Sequence, residues 1–147
     1  MNKNANQVSI VIEENTTNVS NLFEGSDPVM NGFEINKTIS YNNFVTVLDK
    51  ISQYSKLTRL TNLFSYCTIT GYNNEEIKFN TQLNNITNIS NLFENCTSDY
   101  RPFSGRDGGE KGIYNGGVLN IGRSFFKQLP SFAIAQRTFA NTHLSSP

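Results

Sequence analysis

Residues Ile86 to Asp99 read ITNISNLFENCTSD, and three other stretches copy them. Thr17–Asp27 is TNVSNLFEGSD, Leu57–Thr68 is LTRLTNLFSYCT, and Ser131–Ser145 is SFAIAQRTFANTHLS. The shared unit is an aliphatic residue, two or three small polar residues, Asn-Leu-Phe, two more residues and a small one. Aligned on their phenylalanines, the units put Phe23, Phe64, Phe93 and Phe139 in register, 41, 29 and 46 residues apart. A weaker unit, Gly122–Leu129 (GRSFFKQL), places Phe126 in the last gap.

Spacings of this size with a recurring apolar signature point to a stacked array. One short unit cannot cover its own Leu and Phe, whereas stacked neighbours can. Leu22, Phe23, Leu63, Phe64, Leu92 and Phe93 are therefore expected inside. Asn21, Asn62 and Asn91 precede them, with side chains suited to bonding turn backbone. The third residue after each Phe is Ser26, Cys67, Cys96 or Thr142, always small, as a crowded inward position requires.

The stretch TNISNLFENCTS resembles the BspA-like leucine-rich repeats, also met as the repeat of mycoplasma surface lipoproteins, whose units run roughly VTNMSxMFxxCxxL. The likeness is closest at Ile86–Ser98, also present at Val19–Ser26 and Leu60–Thr68, and faintest at Ile134–Leu144. It covers about a third of the chain, and the spacing here is longer and less regular. It implies an α/β fold, an irregular leucine-rich-repeat-like solenoid of short strands and helical turns. It implies no catalytic residue and a microbial-surface setting of adhesion and recognition.

The 147 residues suffice for one domain with a core. Twelve Lys and Arg balance twelve Asp and Glu, so non-specific binding to nucleic acid or anionic membrane is not suggested. The 22 asparagines are interrupted by apolar residues throughout, which fits an AT-rich genome and polar turns rather than a prion-like tract. Six sequons, at Asn15, Asn18, Asn36, Asn85, Asn88 and Asn95, are read as compositional, because glycans inside repeat units would obstruct stacking.

Along the chain, Val8–Ile12 reads as a strand and Gly25–Pro28 as a turn. A second strand falls within Gly32–Tyr41, on Phe33, Ile35 and Ile39. Phe44, Val47, Leu48, Ile51 and Tyr54 make one helical face, capped by Asn42 or Asn43. Short strands are expected at Glu76–Phe79 and Gly117–Ile121, and a helical turn at Ser124–Leu129, stopped by Pro130. Tyr100–Gly117 holds six of the ten glycines and reads as a loop insertion. Its Tyr100, Arg101, Arg106, Lys111 and Tyr114 are the candidate partner contacts.

Chemistry is harder to place. In the Gly-rich loop Lys111 precedes Gly112 rather than Ser or Thr, so it is not a phosphate-binding P-loop. His143 is the single histidine, and no GxSxG elbow accompanies it. Two cysteines and that distant histidine do not make a zinc site. Both thiols read as small buried residues, and a disulfide would need Cβ geometry that repeat register alone does not supply. No cofactor, metal, nucleic acid or membrane span is expected, and the chain is read as a non-catalytic module for protein binding or assembly. The alternative is a structural component of a virion, such as a phage head, neck or tail protein; an enzyme ranks third. Ala133, Ile134, Phe139 and Leu144 are expected to form an apolar edge, covered by a continuation of a longer chain or by another subunit.

Overall fold

The structure is a computed structural model that describes residues 15–23, 37–101 and 117–145. The Val8–Ile12 strand, the Gly25–Pro28 turn, Phe33 and Ile35 lie outside the described residues. Two ladders organise the rest. In the first, single residues from the four sequence copies bridge in parallel, Asn18 to Arg59, Arg59 to Asn88, and Asn88 to Ile134. Each copy therefore lies directly on the next. In the second, strands β1 (Lys37–Ser40), β2 (Cys67–Thr70) and β3 (Thr97–Ser98) form a parallel sheet in that order. Cys67 pairs with Lys37, and Thr68 with Thr97.

The copies share a left-handed backbone residue after the first ladder. Asn21, Asn62 and Asn91 have φ of 66°, 58° and 60°, and Arg137 takes the same position at 56°. A second such residue follows four positions later, Tyr66, Asn95 and Asn141, at 58°, 54° and 57°. Asparagine tolerates this conformation better than other residues bearing a Cβ. The asparagine before Leu-Phe is thus placed by its backbone, and the Asn91 side chain donates to the Glu94 carboxylate.

The phenylalanines fill the space between the ladders. Phe23 stacks on Phe64, Phe64 on Phe93 and Phe93 on Phe139, with centroids 6.0, 5.8 and 5.8 Å apart and planes within 18°. Phe23, Phe64 and Phe93 are buried, as are Leu63 and Leu92. Leu22 departs from expectation and is 39% exposed. Among the described residues it belongs to the first copy, with neighbours on one side only. In the fourth copy the Leu position holds Thr138, buried, whose hydroxyl lies 2.9 Å from both the Ile89 and Ala135 carbonyls and shares its one proton between them.

Helix α1 (Tyr41–Ile51) covers the back of the sheet with Phe44, Val47, Leu48 and Ile51 buried, and Phe44 lies 4.7 Å from Phe64. Its cap is Ser40, whose Oγ accepts from the Asn43 amide at 3.1 Å, not Asn42 or Asn43. Tyr54 lies beyond the helix, packed against the core. Helix α2 (Arg123–Lys127) occupies the weak unit. That segment is a helix and not a further layer of the stack. It buries Phe125 against Phe93 and Phe79, while Phe126 packs edge-on to Phe139.

Glu76–Phe79 alternates inward at Ile77 and Phe79 but joins no strand pair. Its polar backbone is satisfied elsewhere. The Ile77 amide donates to the Asn120 carbonyl at 2.8 Å, and the Gln128 side chain both accepts from the Phe79 amide and donates to its carbonyl. Gly117–Ile121 contributes only one bridge, Leu119 to Leu144. At Gly117 a Cβ would stand 1.8 Å from the Ser98 carbonyl oxygen, so only glycine fits.

Phe93 touches two stacked neighbours and helix α2. Phe93→Ala is expected to lose about 3–5 kcal/mol in a urea melt. A change below about 1 kcal/mol would remove Phe93 from the core role given to it.

Candidate interaction surface

The parallel stacking aligns the outward residues of the four copies in columns. One column is Asn18, Arg59, Asn88 and Ile134. Beside it Thr17, Thr58 and Thr87 are joined by backbone bonds, the Thr58 amide to the Thr17 carbonyl and the Thr87 amide to the Thr58 carbonyl, both 2.8 Å. A third column runs Ser20, Thr61, Ser90 and Gln136, in which the Thr61 and Gln136 amides donate to the hydroxyls of Ser20 and Ser90. Asn18 and Asn88 each accept, through Oδ1, the amide of the serine two residues on. This face is polar, and its side chains are held by local bonds.

The last copy presents a different surface. Phe132, Ile134 and Leu144 are 37%, 48% and 42% exposed, Ala133 is exposed, and Phe139 is half-buried. Arg137 is tied down beside them: its Nε and Nη2 donate to Oε2 of Glu94 at 2.9 and 2.6 Å, while Asn91 donates to Oε1. An exposed apolar cluster of this kind marks a contact surface more often than a single exposed side chain does.

The candidate contacts of the Gly-rich segment are only partly placed. Tyr100 is half-buried, its ring edge-on to Tyr72 at 6.3 Å, and so belongs to the margin of the core. Arg101 is exposed. Arg106, Lys111 and Tyr114 lie outside the described residues, as does most of the loop insertion. Both of its ends are described and adjacent, with the Val118 amide donating to the Tyr100 carbonyl at 3.1 Å.

Two depressions carry ionisable groups. One, open to solvent, is lined by Glu76, Asn120, Gly122, Arg123 and Phe126. The other, of about 160 Å³, lies between α1 and Glu75–Asn80. There Tyr41 donates to Oε1 of Glu75 at 3.0 Å, and burial together with that carboxylate raises its phenol well above the usual range. Tyr72 is pushed up to about 12 by burial. Its hydroxyl donates to the Glu75 carbonyl and accepts the Asn120 amide. Both phenols serve as protonated hydrogen-bond donors that join segments. His143 is exposed, and its carbonyl accepts the Leu119 amide. Among the described residues no group of three or more His, Cys, Asp or Glu is placed to hold a metal ion, and no helix is long and apolar enough to cross a membrane.

Set against protein-family models, curated proteins and solved structures, the chain matches none.

Cys67 and Cys96 are both free and buried at the same position of successive copies. Burial pushes the Cys67 thiol up to about 12 and raises that of Cys96. The thiolate is the nucleophile, so neither cysteine is expected to react with a bulky maleimide at pH 8 until denaturant is added. The raised value has a stability consequence. An acid harder to ionise when folded stabilises the fold below its unfolded pKa and stops doing so as pH rises through its folded value. Stability should fall from pH 9, the ordinary thiol value, toward about 12. Less of this alkaline loss in a Cys67→Ala variant, after allowing for its lower starting stability, is the expected result; an unchanged loss would contradict it.

Proposed function

We propose that the chain is a non-catalytic repeat module for protein binding or assembly, built as an irregular leucine-rich-repeat-like solenoid of the BspA-like type. What supports this reading is the parallel stacking of the four copies, which repeats each outward position at regular intervals along one polar face. A binding face of this kind is made by repetition rather than by a cleft. A microbial surface is the setting that the resemblance favours. The apolar last copy favours a second reading as well, a structural component of a virion, since both roles require protein contact at an edge.

The two surfaces are separable by site-specific photo-cross-linking in the native setting. A photoreactive residue at Arg59, on the polar face, or at Ile134, on the edge, is expected to give protein adducts. One at Lys50, in the last turn of α1, is expected to give few. Equal yields at all three positions, or none at any, would overturn the module reading.

A further inference from the structure

The bonds between copies have a fixed polarity. In the first copy the amides of Asn21 and Phe23 donate to the carbonyls of Thr61 and Leu63 in the second. The amides of Leu60, Asn62, Phe64 and Tyr66 donate to Asn88, Ser90, Leu92 and Glu94 in the third. Those of Ile89, Asn91, Phe93 and Asn95 donate to Ile134, Gln136, Thr138 and Ala140 in the fourth. The corresponding amides of the fourth copy belong to Ala135, Arg137, Phe139 and Asn141, and they meet no acceptor among the described residues. At the other end the matching carbonyls are those of Asn18, Ser20 and Leu22. No amide donates to them among the described residues, and Leu22 alone receives the Lys37 ammonium, at 3.3 Å. The flanking column runs the opposite way, later amide to earlier carbonyl, and among the described residues no amide donates to the Ala133 carbonyl, where Thr87 has donors.

Among the described residues, one end of the stack therefore offers donors where the other offers acceptors, at the same residue intervals. Each end also carries exposed apolar side chains, Leu22 on one and Phe132, Ile134 and Leu144 on the other. An unpaired edge is a template for a strand of matching register. We infer that the fourth copy docks the first copy of a second molecule of this chain, head to tail, as one more parallel layer with Phe23 continuing the column over Phe139. The inference rests on the module reading and names its partner. A symmetric dimer through the fourth copies would set the edges antiparallel and oppose donors to donors, so the contact is heterologous and does not close by two-fold symmetry.

The test uses the 147-residue chain with two single-edge variants, Ile134→Lys and Leu22→Lys, both at exposed positions, with folding checked by circular dichroism. Leu144→Lys replaces the first if it fails to fold. Light scattering over a concentration series should show the wild type rising above the 16.5 kDa of one chain without a plateau. Each variant alone should stay at one chain. An equimolar mixture of the two should double in mass, because each supplies the edge that the other lacks. Three results would overturn the inference: a wild type monomeric throughout, loss of association from the Ile134→Lys variant but not from Leu22→Lys, or no recovery on mixing. A monomeric wild type that still gives cross-links at Arg59 would leave the module reading standing and remove this partner alone.

Discussion

The left-handed residue before each Leu-Phe is the constraint on which the other features depend. With φ near 60°, it turns the chain out of the first ladder and toward the second. Because the turn recurs at one position, the amides that follow it fall opposite the carbonyls of the next copy. The same geometry brings the phenylalanines into face contact at about 6 Å. An L-residue pays for this conformation unless its side chain is short and polar, and six of the eight such non-glycine residues described are asparagine. Part of the asparagine enrichment is therefore conformational. Tyr66 and Arg137 are the exceptions, and the Arg137 guanidinium is anchored to Glu94 of the preceding copy.

What could be read from the residues was whatever repeats. The phenylalanine register, the small inward position at Cys67 and Cys96, and the apolar face of α1 follow from spacing alone, because each is set by neighbours of known kind. What escaped was decided by contacts distant in sequence. Glu76–Phe79 has the alternation of a strand, yet Gln128, 49 residues away, takes both polar groups of Phe79. The weak unit at 122–129 has a phenylalanine at a plausible interval, but the buried ring is Phe125, one residue earlier, on a helix. Leu22 matches Leu63 and Leu92 in sequence and differs in exposure, since burial depends on position in the stack. Ser40 outcompeted the two asparagines as the cap because β1 delivers it to the helix start in extended backbone.

The interaction surface was legible in outline only. An apolar last copy can be seen in Ala133, Ile134, Phe139 and Leu144. The direction of its unused hydrogen bonds cannot, because hydrogen-bond polarity is a property of the ladder and not of side-chain type. Of the residues singled out in the Gly-rich segment, Tyr100 proved to be packed against Tyr72.

The close approach of Gly117 to Ser98 has a consequence for how such a chain can change. Arg101 and Gly117 bound the segment 102–116, and beside them the Tyr100 carbonyl accepts the Val118 amide at 3.1 Å. The two flanks are thus adjacent, and a connection between them has little distance to span. Lengthening a connection of this sort costs only about 0.6 kcal/mol of closure entropy per doubling. The junction is therefore a permissive port: a change in the length of the intervening sequence leaves the Tyr100–Val118 bond in reach, while Gly117 is fixed by its approach to Ser98.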